Sequence, residues 1–513
     1  MKNADFLIDE SSSGHTWRTT TARRGRGAGT GGLMAKKPLR DMVVLLPGIT
    51  GSVLRSEGRD IWGPSAGALW SALTAPDEWR DQLSLRDGDP GAVTASRLMP
   101  DAHLVPGLVK IDGYSSPAAL IRDTFDVVPG SPDQDAPANY IEFPYDWRLD
   151  NRVSARRLAQ VVDGALRRWR KHSQAPDARV IFLAHSMGGL VARYYLEVLG
   201  GWRTCRALIT FGTPYRGSLN ALDFLANGYK KLFVDLTEVM RSFPSVHQLL
   251  PVYRALRVGD EYVRVAETDK VPGVDPVLAA DALAFHREIE AKVTEHLDDE
   301  DYRTGGYTVL PVVGTHQKTR QSGTLTGARV EVSSRLPDWI DPLLDDGDGT
   351  VPRASATPIE LSDAHRDTFV AERHGSLQCN PTVLTDLRGR LEQSQVRGLR
   401  EIRGPRESPR AAKRPALALD IDDLYLAGEP VVLRGRSIGP APDEPVRAVV
   451  QPVVHGRAPA PFTVEPVSST GGGRLELPQL PPGLYRVEVR TAKAGPDAPL
   501  PVHDIFAVAG VER

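Results

Sequence analysis

The feature that most constrains the fold is a serine placed between a buried strand and a helix. Residues 179–184 (RVIFLA) form an apolar run, AHSMGG follows around Ser186, and 190–199 have helical character. A serine on such a tight strand-to-helix turn projects its hydroxyl outward, and small neighbours allow the backbone to turn. The motif departs from G-x-S-x-G in having Ala184 at the first glycine, which is a small change. The pattern predicts Ser186 as a nucleophile.

The rest of the first four hundred residues alternates between buried strands and helices. Continuous apolar runs predict strands, as expected where both faces of a parallel sheet are covered; they lie at 42–46, 140–143, 207–211 and 308–313. Apolar residues at helical spacing over 155–171 predict an amphipathic helix. This alternation favours a doubly wound, mostly parallel α/β sheet.

Composition shifts predict the domain organisation. We expect a disordered N-terminal tail over 1–38 and an α/β domain over 39–394, with a helical cap inserted at about 218–300. The Arg-rich composition of residues 395–414 predicts a basic linker. Residues 415–513 hold short alternating segments separated by Gly and Pro, which predicts a small β-sandwich module. We expect this module to be dispensable for catalysis and to bind a protein or carbohydrate partner, or to recruit substrate.

A serine nucleophile needs a base and an acid that orients the base. In α/β-hydrolases these residues follow the serine in the order acid, then histidine. Asp348 in the DDGDGTVP loop is the preferred acid, with Asp345 and Asp346 as competitors. His374 in the ERHGSLQ loop is the preferred base.

Other histidines are weaker candidates for the base. His365 lies in a polar run, and His503 lies in the β module. His185 stands beside the nucleophile, where a packing role is more common. Backbone N–H groups must also stabilise the developing oxyanion. Met187 follows the nucleophile, and the loop after the first strand supplies Ile49 or Thr50.

Six segments together resemble the lecithin:cholesterol acyltransferase family, which includes phospholipid:diacylglycerol acyltransferases and lysosomal phospholipases. They are LLPGITGSVL, FPYDWRL, AHSMGGLVARYYL, FGTPYRGS, GDGTVP and HGSLQ, in the family order. The resemblance implies the α/β-hydrolase fold with the triad Ser186, Asp348 and His374. It implies Ile49 and Met187 as oxyanion donors.

The resemblance also places Trp147, between Asp146 and Arg148, near the site. Packing of the tryptophan and a local ion pair are as good an explanation of this motif as substrate contact. Thr50, Trp62 and Trp147 are our candidates for substrate binding, and a tryptophan-rich stretch, 62–83, is a candidate site wall or lid.

Composition narrows the partners and the compartment. The net charge of −2 gives no electrostatic case for nucleic acid. Two cysteines, Cys205 and Cys379, exclude a disulfide framework and are expected to be reduced. No secretory signal or long apolar run is present. We expect a cytoplasmic protein whose membrane contact is at most peripheral.

The sequence predicts a serine esterase, lipase, phospholipase or O-acyltransferase. The expected substrate is a lipid or other long-chain ester, processed through an acyl-enzyme. No metal-ligand spacing or phosphate-binding loop is present, so no cofactor and no metal are expected. The alternative is a non-catalytic binding or scaffold protein on a hydrolase fold, because a fold does not guarantee its chemistry.

Overall fold

A computed structural model describes most of the chain in eleven ranges. They are 35–63, 76–85, 93–105, 109–231, 234–361, 368–395, 415–438, 446–453, 462–464, 474–491 and 498–509. Most of the expected N-terminal tail and of the linker, and part of the tryptophan-rich stretch, lie outside these ranges. Residues from Lys37 onward belong to one compact unit.

A seven-stranded sheet forms the centre of the fold. Its strands are β1 (Met42–Leu46), β2 (Pro129–Gly130), β3 (Tyr140–Glu142), β4 (Val180–His185), β5 (Cys205–Phe211), β6 (Thr308–Gly314) and β7 (Thr368–Val370). The spatial order is β7-β6-β5-β4-β1-β3-β2, and all neighbours are parallel. Strands β1 and β4 are buried along their whole length, as their continuous apolar sequences predicted. The α/β fold class is therefore confirmed.

Within the described ranges, ten α-helices accompany the sheet. They are α1 (Pro76–Leu83), α2 (Ser115–Thr124), α3 (Asn151–Ser173), α4 (Gly188–Glu197), α5 (Leu219–Asn227), α6 (Thr237–Arg241), α7 (Pro244–His247), α8 (Pro276–His296), α9 (Glu300–Gly305) and α10 (Pro381–Ser394). Asp150 caps α3 by accepting the Arg152 N–H at 2.7 Å, so the helix begins earlier than its apolar pattern alone indicated. Helix α4 is buried throughout and packs between α3 and the sheet.

Short 3₁₀ helices connect many of these elements. They occupy Gly201–Thr204, Val265–Glu267, Pro342–Leu344, Arg353–Ser355, Ile359–Leu361 and His374–Cys379. The last of these places His374 at the start of a tight turn between β7 and α10.

Small β-structures surround the central sheet. They are formed by Lys37–Pro38, Ser52–Ser56, Arg59–Trp62, Val93–Leu98, His103–Val105, Val109–Ile111, Phe125–Asp126, Lys230–Lys231, Val234–Asp235, Leu256–Val258, Glu261–Val263, Ser322–Thr326 and Arg329–Ser333. The region expected to be a helical cap contains α5 to α8, but it also carries two of these antiparallel ribbons. Ribbon Leu256–Val263 joins the later hairpin 322–333 in one four-stranded sheet.

In its described ranges, the C-terminal module is all β. Its strands are β8 (Ala416–Ile421), β9 (Leu424–Leu426), β10 (Val432–Ile438), β11 (Val446–Pro452), β12 (Phe462–Val464), β13 (Arg474–Glu476), β14 (Gly483–Thr491) and β15 (Val502–Ala509). Three of them form the sheet β8-β10-β13, and five form β9-β15-β14-β11-β12. Residues of both sheets, among them Leu433 and Phe506, share one apolar core. A sandwich-like module is therefore confirmed.

Two further features bear on the sequence predictions. Both Cys205 and Cys379 are free thiols. Within the described ranges, no helix combines the length and the apolar character needed to cross a bilayer.

Candidate active site

Ser186 occupies a strained turn between β4 and α4. Its φ is +52°, in the left-handed region that residues other than glycine rarely adopt. The Ser186 N–H donates to the Phe211 carbonyl at 2.9 Å, and the Thr213 hydroxyl donates to the Ser186 carbonyl at 2.9 Å. Neighbouring strand β5 therefore holds the serine backbone in this conformation. Strain of this kind concentrates at functional sites.

Ser186, His374 and Asp348 lie in a hydrogen-bonded row. His374 Nε2 is 2.9 Å from Ser186 Oγ, and His374 Nδ1 is 2.7 Å from Asp348 Oδ2. The other carboxylate oxygen of Asp348 accepts the N–H groups of Thr350 and Val351. These bonds fix the carboxylate, which in turn orients the imidazole with Nε2 towards the serine. The structure thus brings together the three residues that the sequence singled out.

The competing candidates are placed elsewhere. Asp345 is exposed, and Asp346 accepts the His316 N–H at 3.0 Å. His503 bonds to Glu372 rather than to the serine. His365 lies outside the described residues.

Gly212 leaves the space in which Asp348 and His374 meet. A Cβ at this position would lie 2.8 Å from Asp348 Oδ2 and 2.9 Å from His374 Nδ1. Its φ of +59° would also strain any other residue. The first glycine of FGTPYRGS, Gly212, is therefore needed because a side chain at this position would clash with Asp348 and His374.

His185 and Tyr114 form a second row behind His374. The Gly48 N–H donates to the Tyr114 hydroxyl at 2.8 Å, and this hydroxyl lies 2.9 Å from His185 Nδ1. A phenol has one proton, so Tyr114 donates to Nδ1, and His185 Nε2–H donates to the His374 carbonyl at 3.1 Å. Burial and the nearby His374 lower the pKa of His185 to about 3, which keeps it neutral.

His185 therefore has a defined hydrogen-bonding role between Tyr114 and His374, in addition to the packing role that the sequence indicated. Tyr114 was missed in the sequence, because a tyrosine at the start of helix α2 carries no recognisable motif.

The predicted oxyanion donors flank the serine. Ile49 and Thr50 line the same cavity as Ser186, and Thr50 is held at φ +61°. Within the described ranges, no carbonyl or side chain accepts the N–H of Ile49 or of Met187. Two unpaired backbone donors beside a nucleophile are what an oxyanion hole requires.

A cavity of about 880 Å³ opens at Ser186. Apolar side chains from the cap line one part of it, namely Phe224, Leu236, Val239, Met240, Phe243 and Val246. Charged side chains line another part, among them Lys110, Arg373, Asp423 and Asp504. The last two belong to the C-terminal module.

Trp62 and Trp147 lie in the wall of this cavity. Trp62 Nε1 donates to the Thr50 carbonyl at 3.0 Å, and Trp147 Nε1 donates to the Ser52 carbonyl at 3.1 Å. The two rings meet edge to face at a centroid distance of 5.2 Å. Both tryptophans therefore line the cavity and also hold the loop that carries Ile49 and Thr50.

Asp146 and Arg148 form a buried ion pair beside Trp147 and do not contact the cavity. Arg148 is 1% exposed and pairs with both oxygens of Asp146, at 2.9 and 2.7 Å. Its remaining N–H groups donate to the carbonyls of Gln82 and Leu83 at the end of helix α1. Neither Asp146 nor Arg148 lines the cavity.

No cluster of three or more metal-ligating side chains occurs among the residues that the structure describes.

Comparisons with known proteins agree with this arrangement. The family model described as lecithin:cholesterol acyltransferase matches residues 135–383, a region that contains Ser186, Asp348, His374 and the whole cap. No curated protein matched the sequence.

Solved structures give only weak likenesses. The Bacillus licheniformis lipase BlEst2 in its propeptide form is 11% identical, with 92% of this chain and 94% of that chain covered, at a TM-score of 0.30. Its mature form is 12% identical, with 67% and 89% covered, at a TM-score of 0.25. The match over residues 135–383 is consistent with the lecithin:cholesterol acyltransferase family of the α/β-hydrolase superfamily.

Proposed function

We propose that the protein is a serine acyl-ester hydrolase or O-acyltransferase that acts on lipid or other long-chain esters. The observation that carries this proposal is the Ser186–His374–Asp348 row opening into a cavity with a large apolar wall. The family match supports acyl-ester chemistry on lipids.

The first half-reaction makes an acyl-enzyme. Ser186 Oγ attacks the ester carbonyl carbon while His374 Nε2 takes the hydroxyl proton. Asp348 stabilises the imidazolium through the Nδ1 hydrogen bond. The carbonyl oxygen becomes an oxyanion that the N–H groups of Ile49 and Met187 stabilise. Collapse of this intermediate breaks the ester bond, and His374 returns its proton to the leaving alkoxide.

The second half-reaction decides between hydrolysis and transfer. Water, or the hydroxyl of an acceptor, gives its proton to His374 and attacks the acyl carbonyl to form a second tetrahedral intermediate. Its collapse breaks the bond between the acyl carbon and Ser186 Oγ, and His374 returns the proton to Ser186. Because water is always present, we propose hydrolysis as the basal reaction. Transfer requires that an acceptor alcohol occupy the cavity and exclude water.

Turnover of p-nitrophenyl esters with acyl chains from two to sixteen carbons tests this function. We expect the wild type to prefer long chains and the Ser186→Ala variant to lose turnover. Ser173→Ala removes a hydroxyl at the end of helix α3, away from the cavity, and serves as the matched control. A fluorophosphonate probe should label the wild type and Ser173→Ala, but not Ser186→Ala. A folded wild type that neither turns over esters nor takes the label would contradict the proposal and favour a binding protein.

A further inference from the structure

The last strand of the C-terminal module, β15, lies against the residues that precede His374. Glu372 is fully buried, and its two oxygens accept the backbone N–H of His503 at 2.9 Å and contact His503 Nδ1 at 2.7 Å. Asn380 at the start of helix α10 donates to the same carboxylate at 2.8 Å. A buried carboxylate two residues before His374 is therefore neutralised by the module.

His503 is charged at neutral pH in this setting. Burial alone would lower its pKa, but the hydrogen bonds and charges of Glu372 and Glu488 outweigh burial and raise the pKa to about 10. The contact with Glu372 is consequently an ion pair. Removing one partner of a buried pair is strongly destabilising, because it leaves the other charge uncompensated.

Arg373, the next residue, is also attached to the module. Its Nε lies 3.1 Å from Asp504 Oδ2, and its guanidinium donates to the Leu419 carbonyl at 2.9 Å. Lys110 on the hydrolase side approaches Asp504 at 3.0 Å and Asp423 at 2.6 Å. These four charged side chains line the cavity, so the module supplies part of its wall.

Gln317, whose N–H is bonded to the loop that carries Asp348, contacts the module as well. The Gln317 side chain donates to the Leu417 carbonyl at 3.0 Å and accepts the Leu419 N–H at 3.0 Å, as an added strand would. The Gln317 N–H donates to the Gly347 carbonyl at 2.9 Å, next to Asp348. Gln317 thus links strand β8 to the loop that carries Asp348.

The far side of His374 has little space in which to move. The Asp112 N–H donates to the Gly375 carbonyl at 2.9 Å, and Arg486 of the module pairs with the Asp112 carboxylate. A Cβ on Gly375 would lie 1.9 Å from the Lys110 carbonyl oxygen. The turn from Glu372 to Gly375 is therefore enclosed between the module and the strand Val109–Ile111.

We propose that the C-terminal module is a positioning element for the general base. Through His503 and Asp504 it fixes Glu372 and Arg373, so that His374 Nε2 stays within hydrogen-bond distance of Ser186 Oγ. The inference deepens the proposed function and rests on it for the role of His374. It replaces the expectation that the module is dispensable, which came from the basic stretch before it. Misplacement of a reacting group by about 1 Å lowers a rate roughly 100-fold.

Full-length variants test the inference. His503→Gln and Asp504→Asn should lower kcat about 10- to 100-fold and change KM less than about twofold, because the base is misaligned while the apolar cavity is intact. The rate of fluorophosphonate labelling at Ser186 should fall in parallel. Arg434→Gln is the matched control: it breaks an ion pair with Asp420 on the module surface, where both side chains are about two-thirds exposed.

A third variant separates positioning from simple destabilisation. Glu372→Gln/His503→Gln replaces the buried ion pair by a neutral pair of similar size. We expect this double variant to recover at least part of the activity that His503→Gln loses. If His503→Gln fails to fold, the double variant can be compared with the wild type instead. A rise in KM at constant kcat, or wild-type kcat in both folded single variants, would overturn the inference.

Hydrogen–deuterium exchange of a peptide spanning 372–379 distinguishes this inference from the proposed function. Faster exchange in His503→Gln than in wild type and Arg434→Gln would show that the module holds the turn, even if the wild type proved inert towards esters. Equal exchange in all three proteins would contradict the positioning role. An inert wild type would overturn the proposed function separately.

Discussion

The Glu372–His503 ion pair should give the free energy of unfolding a distinct pH dependence. His503 has a pKa of about 10 in the folded protein and about 6.5 when unfolded, so the folded state binds the proton more tightly. The stabilisation is full below about pH 6.5 and is lost as the pH rises through about 10. A shift of this size corresponds to about 4 kcal/mol at pH 7 and about 1 kcal/mol at pH 9.

Urea denaturation at pH 7, 8 and 9 measures this effect, with Glu372→Gln/His503→Gln as the reference. The neutral pair does not titrate in this range, so the stability difference between wild type and variant should shrink by about 2–3 kcal/mol from pH 7 to pH 9. Tryptophan fluorescence and circular dichroism should be followed together, because separate unfolding of the module would split the transition. Arg434→Gln should parallel the wild type. A constant difference between wild type and the double variant would refute the assignment of a charged His503.

Three further predictions concern the site and its wall. Asp348→Asn should lower kcat by about 10³- to 10⁴-fold with little change in KM, since the wrong imidazole tautomer is favoured; activity within tenfold of wild type would exclude Asp348 as the orienting acid. Asp146→Asn leaves the buried Arg148 guanidinium without its carboxylate and should reduce the free energy of unfolding by about 3–5 kcal/mol; an unchanged urea midpoint would contradict the buried pair. Met240→Trp should fill part of the apolar wall and move the p-nitrophenyl ester optimum to shorter chains, whereas an unchanged optimum would place the acyl chain elsewhere.

Five strands of the central sheet could be predicted because their signals are local, whereas the two-residue strand Pro129–Gly130 was not predicted. Strand β1 coincides with its apolar run, and β4, β5 and β6 differ from the expected bounds by one or two residues. Each strand is buried on both faces, so hydrophobicity alone defines it. Ser186 could be selected for the same reason, since the strand, the turn and the helix around it are contiguous.

The surroundings of His374 could not be predicted in this way. Glu372 and His503 are 131 residues apart, and Arg486 and Asp112 are 374 apart. Pairs at such separations leave no periodic pattern, and each residue alone resembles a solvated charge. The mixed character of the cap was missed for a related reason: strands of three residues, such as Leu256–Val258, are too short to show alternation.

The place of His503 and Asp504 more than 300 residues after Ser186 has a consequence for biosynthesis. A ribosome releases the serine elbow and the acid loop long before it adds strand β15, at about 5–20 residues per second. A nascent chain therefore carries Ser186 for many seconds without the contacts that hold the turn of His374. If the module positions His374 as proposed, ester cleavage would begin only after synthesis of strand β15, and chains interrupted before residue 503 would accumulate as inactive protein.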